Sequence, residues 1–159
     1  MPLTSATPRR LETAKILGRE FAVGAMLFAA LSVAACGSSK QSECVTLIAV
    51  INTGLDTLES NRQQTKNDPT KSVEARSMAA SMEKVAEDIK ALELKTPELK
   101  DIAKRYEAMA RDVAKFAREG AEASEQKDVA AVNKAHASLN ESLKLEDPII
   151  NDLNAACAK

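Results

Sequence analysis

The chain has 159 residues, room for one domain, and its 22 Lys and Arg nearly cancel its 23 Asp and Glu. So neutral a balance excludes the basic footprint of a nucleic-acid binder. One His, three Cys and 3% aromatic residues leave few metal ligands and few flat rings for stacking sugars or bases.

Arg9, Arg10, Lys15 and Arg19 precede an uncharged run of 15 residues, Phe21 to Ala35. A membrane-spanning helix needs about 20 apolar residues. The run is too short for that and fits the apolar region of a secretory signal, with basic residues before it and small ones after it. Arg9-Arg10 invites a twin-arginine signal, but Leu11-Glu12 is a poor continuation. Val33-Ala34-Ala35 is followed at once by Cys36.

Val33-Ala34-Ala35-Cys36 resembles the lipobox of bacterial lipoproteins. The resemblance implies lipid on the Cys36 sulfur, cleavage after Ala35 and Cys36 as the new N-terminus. Gly37, where inner-membrane retention uses Asp in the enteric type, implies the outer membrane, facing the periplasm, if the organism has one. The long basic segment with Glu12 and Glu20 departs from the usual pattern. The expected organisation is a signal peptide over 1–35, a short tether over 36–41 and one domain over 42–159. Removing the signal leaves 124 residues with net charge −3, and Tyr106 and Phe116 as the only aromatics.

Three cysteines are an awkward count for an exported protein. With Cys36 lipidated, Cys44 and Cys157 remain as a pair that an oxidising compartment would join. The alternative is two buried thiols.

Apolar residues then recur at helical spacing, with no sustained strand-type alternation. The first segment, about Ser42 to Asn67, turns Cys44, Ile48, Ile51, Leu55 and Leu58 inward, with Val45 and Leu47 widening the stripe and Arg62 and Thr65 in phase. Asn67-Asp68-Pro69 ends it, because the residue before proline disfavours helical geometry. The second, about Thr70 to Leu94, places Ala75, Met78, Met82, Val85, Ile89 and Leu92 on a seven-residue repeat. Thr96 and Pro97 suit the cap and first turn of a third, reaching about Glu125 through Leu99, Ile102, Tyr106, Met109, Val113, Phe116 and Gly120. Asp128 caps a fourth carrying Val129, Val132, His136, Leu139 and Leu143, with Glu146, Ile150, Leu153 and Cys157 in phase beyond it. Asp147-Pro148 reads as a second cap, so this last helix is kinked or broken at Pro148.

Short connections force neighbouring helices antiparallel. The fold expected is therefore all-α: an antiparallel, up-down-up-down four-helix bundle. It brings Cys44 and Cys157 to one end. Leu55, Val85, Ile89, Ile102, Val113, Leu139 and Ile150 are its expected core, and Tyr106 and Glu146 meet near its middle in a hydrogen bond.

Catalytic and metal constellations are missing from this pattern. His136 lacks the Glu-x-x-His context of a di-iron bundle, and no Gly-rich phosphate loop occurs. His136 and Met78 fall at similar heights and are weak candidates for haem ligands. The plainer expectation puts His136 in a polar core layer near Arg62 and Phe116. No cofactor is expected. The function expected is a non-enzymatic module, held to the membrane through lipid on Cys36, that binds an envelope protein or peptide. The alternatives are a carrier of haem or a small apolar ligand in the bundle core, and an envelope enzyme.

Overall fold

A computed structural model describes residues 38–65 and 71–158. The lipobox with Cys36 and the Asn67–Pro69 turn lie outside the described residues. Five α-helices make up the described part: α1 (Ser38–Thr65), α2 (Lys71–Lys90), α3 (Pro97–Glu125), α4 (Val129–Leu143) and α5 (Glu146–Cys157). Their contacts are those of a helical bundle.

The central pair is α2 and α3. Met82, Val85 and Ile89 of α2 are buried against a stripe on α3 that runs through Leu99, Ile102, Tyr106, Met109 and Val113. Both helices follow the heptad expected of them. Exposed ion pairs bridge them at Arg76–Glu125 (2.8 Å) and Arg118–Glu83 (2.6 Å). Pairs of this kind contribute roughly 0–1 kcal/mol each, so they matter here mainly as markers of register.

The helix ends depart from expectation for identifiable reasons. α1 begins at Ser38 rather than Ser42, so helix takes in much of the expected tether. Thr96 holds the cap position of α3 without a side-chain capping bond. Its N–H instead donates to Glu43 Oε2 of α1 at 2.9 Å, a bond that holds the Glu43 carboxyl below its ordinary range. At the other end of α3, Lys127 takes a φ of 58°. The Asp128 N–H reaches back to the Ala123 carbonyl and the Lys127 N–H to that of Ser124, which satisfies the last carbonyls of the helix. Asp128 caps α4 as expected, its side chain accepting from the Ala131 N–H at 3.0 Å.

The fourth segment breaks at Lys144–Leu145, and α5 starts two residues before Pro148. Glu146 and Asp147 occupy its first turn, where negative charge complements the helix dipole. Pro148 then falls among positions whose N–H groups have no helical acceptor, so its missing donor costs nothing.

Three helices depart from the expected core: α4 is rolled by about one residue, while α1 keeps Cys44 and Ile51 and α5 keeps Leu153 in their expected buried places. On α1 the buried line passes through Leu47 and Ile51 and continues through Gly54, while Leu55 is 39% exposed. On α4 the buried residues are Ala135 and Ser142, and Leu139 is only half-buried. On α5 Ile149 is buried in place of Ile150. On α1 and α4 the cause is close approach through small residues. Gly54 faces the Val85 side chain across α1 and α2, and Gly120 faces Ala135 across α3 and α4. Asn61 supports the first contact by donating to Ser81 Oγ at 2.9 Å.

The two glycines should respond oppositely to alanine. A Cβ at position 54 runs into the stiff, β-branched Val85, so Gly54→Ala is expected to cost about 1–3 kcal/mol. A Cβ at position 120 meets Ala135 at 3.5 Å, ordinary contact distance. There the gain in helix propensity prevails, and Gly120→Ala should stabilise by up to about 1 kcal/mol. Urea unfolding of the two variants checks this; equal shifts would refute the close approach of α1 to α2.

Candidate functional site

Cys44 and Cys157 form a disulfide, with Cα atoms 5.8 Å apart. It joins the early part of α1 to the last residue of α5. Cys44 is 3% exposed, beside Leu47 and Ile51. A second tie near this end is the ion pair of Lys40 with Glu98 at 3.0 Å. A third joins Arg105 of α3 to Asp152 of α5 at 2.7 Å.

Tyr106 and Glu146 meet as expected. The Tyr106 hydroxyl donates to Glu146 Oε1 at 3.3 Å, linking α3 to the start of α5. Burial raises the phenol well above its ordinary pKa, and the Glu146 charge and hydrogen bond raise it further. Burial also pushes the Glu146 carboxyl above the ordinary carboxylate range; the Tyr106 bond opposes this and the Asp147 charge adds to it. Among the described residues, no group of three or more His, Cys, Asp or Glu gathers to hold a metal.

The pair carries a pH signature. Folding raises the pKa of Glu146, so the folded protein holds this proton more tightly than the unfolded chain. The stabilisation from this group is complete below the unfolded carboxylate value, about 4.3. It declines as pH rises through the higher folded value. Glu146→Gln keeps an acceptor for Tyr106 without a titrating group. Its melting temperature should fall less than that of wild type from about pH 4 to pH 7, and parallel profiles would count against the shift.

One opening on the bundle accompanies the roll of α4. With Ala135 and Ser142 turned to α3, its larger residues Val132, His136 and Leu139 face a trough of about 350 Å³ shared with α2 and α3. Met78 and Phe116 line the same trough, with Gly120 between helices. A second hollow of about 250 Å³ lies between α1 and α2, lined by Leu55, Leu58 and Arg62. The two share Glu74 and Met78.

His136 is therefore not in a core polar layer. It is an exposed residue on the wall of an open trough, which it shares with Phe116 and Met78, while Arg62 lines the neighbouring hollow. The weak candidate pair His136 and Met78 does line one cavity. Hydropathy could not indicate the trough, because its cause is a stripe of Gly, Ala and Ser. That stripe was the only available signal, and larger residues one position away obscured it.

No family model matches the chain, and comparison with curated proteins and with solved structures finds no match.

Proposed function

We propose that this chain is a lipid-anchored protein of the cell envelope whose helical bundle binds another envelope protein or peptide and catalyses no reaction itself. Cysteine usage carries the proposal. Cys44 and Cys157 are joined to each other, and the third cysteine, Cys36, follows Val33-Ala34-Ala35 behind a basic segment and an apolar run. Disulfides persist in oxidising compartments, the setting in which a lipobox cysteine is processed. Among the described residues no helix is long and apolar enough to cross a membrane. In this reading attachment comes from lipid on Cys36. At least two acyl chains are needed, because one binds only marginally. In an organism with two membranes, the outer one, on its periplasmic side, is the destination.

We further infer that the helices run up-down-up-down, with α4 and α5 as a broken fourth rod. Several pairs support this order: Gly54 and Asn61 of α1 with Val85 and Ser81 of α2, then Arg76 and Glu83 of α2 with Glu125 and Arg118 of α3. Gly120 with Ala135, and Tyr106 with Glu146, continue it. Cys44 stands eight residues after Cys36, so the disulfide end faces the membrane in this arrangement. The far end, with the trough nearby, is then open to a partner.

Cys36→Ser tests the anchor. The variant is expected to incorporate no palmitate label and to leave the detergent phase on phase partition. A variant that still enters the detergent phase at the mature mass of wild type would overturn the proposal.

A further inference from the structure

α4 is held differently from the other helices. Each of those is tied to a neighbour by a polar or covalent link: Asn61 to Ser81 between α1 and α2, Arg118 to Glu83 between α2 and α3, Tyr106 to Glu146 between α3 and α5, and the disulfide between α1 and α5. Among the described residues, α4 bonds only within itself and its own caps. Ser142 Oγ donates to the Ser138 carbonyl, Glu141 pairs with Lys144, and Asp128 accepts from the Ala131 N–H. Its packing is equally sparse. Ala135 and Ser142 are its buried residues, and neither belongs to the main apolar cluster, which α4 joins through half-buried Leu139. Val129 and Leu143 are exposed. Departure of α4 therefore breaks no polar contact with another helix and uncovers little apolar surface.

The manner of departure follows from the two joints. α3 continues into α4 through Gln126–Asp128, and α5 follows after Lys144–Leu145. With both ends fixed, a rigid rod has nowhere to swing. Unwound, the same residues reach about twice as far as in a helix and span the gap easily. Fifteen residues are also too few to stay helical alone, and Val132, Asn133, His136 and Asn140 are weak helix formers. Lys127, at a φ of 58°, holds a left-handed conformation that disfavours a residue with a Cβ, and unwinding releases it.

We propose that α4 is a strap that opens as a unit, losing its helix while α1, α2, α3 and α5 stay folded and closed by the disulfide. Opening bares the side of α3 around Gly120, on which Ala135 rests, and removes the Val132, His136 and Leu139 wall of the trough. The proposal does not depend on how the chain is attached to a membrane.

Amide hydrogen exchange on the full chain, disulfide intact, tests it by mass spectrometry. Amides along α4 are expected to exchange together, more than about tenfold faster than those at the centres of α2 and α3. Two variants separate local from global opening. Ile89→Val weakens the folded and strap-open states alike, so it should speed exchange in α2 and α3 about fivefold and leave α4 unchanged. Asp128→Ala removes the cap of α4 and should speed its exchange about fivefold, in its last turn as well as its first. Three results would overturn the proposal: α4 exchanging no faster than α3, Ile89→Val speeding α4 as much as α2, or an effect of Asp128→Ala confined to the first turn.

Discussion

Ile89→Ala is expected to lower the unfolding free energy by about 2–5 kcal/mol, the range for removing a large aliphatic side chain from a packed core. Ile89 is 3% exposed and belongs to the same buried cluster as Leu94, Ile102 and Ala103. Truncation there removes methylene burial and leaves a cavity between two helices whose facing residues are packed and buried. Little relaxation is available to fill it. Leu55→Ala is the matched control. Leu55 lines an open hollow at 39% exposure, so its truncation should cost well under about 2 kcal/mol. Urea denaturation of both variants measures the contrast. A loss below about 0.5 kcal/mol at Ile89, within the uncertainty of extrapolation to water, would mean that this face of α2 is not core.

Loss of the disulfide should be comparably large. Its cysteines are 113 residues apart in sequence, and chain entropy for a loop of about 100 residues gives an upper figure near 4.7 kcal/mol, against typical measured values of about 2–4. The double variant Cys44→Ser, Cys157→Ser avoids a stray thiol. It should melt roughly 10 °C lower than wild type, and dithiothreitol should lower wild type to the same temperature. The expectation is sharpened by how α5 is held. Ile149, Leu153 and Ala156 are its buried residues, so a short helix relies on few apolar contacts once the covalent tie is gone. A change under about 2 °C in the double variant would show that the unfolded chain gains little freedom from opening the loop.

The helical class was legible because each segment repeats its large apolar residues at 3-4 spacing. For α2 and α3 the phase was legible too: Met82, Val85, Ile89, Ile102, Tyr106 and Val113 are all buried. The cysteine pairing followed from two separate signals, the odd count and the return of the chain to its starting end. Tyr106 and Glu146 stood out as polar residues on inward positions, and buried polar groups find partners. The phase of α1, α4 and α5 was harder to read. Hydropathy weights Leu55 over Gly54, Leu139 over Ala135 and Ile150 over Ile149, or sees no difference. Packing rewards a close backbone approach where the residue is small. A one-position error on a helix turns a face by about 100°, which is enough to move Leu55 and His136 from the expected interior to the surface. The trough accompanies that same rotation, which is why its residues were named as core and its existence was missed.

The Cys44–Cys157 bond has a mechanical consequence as well. It closes α1 through α5 into a covalent ring, with Cys44 and Cys157 as the points where the rest of the chain leaves it. Tension applied between the two ends of the chain enters at Cys44 and passes through two sulfur atoms to Cys157. The helices between them lie off this line and bear almost none of it. A pull that would unravel an unlinked bundle therefore meets a covalent bond first, and the fold of α2, α3 and α4 stays relaxed while the ends are drawn taut.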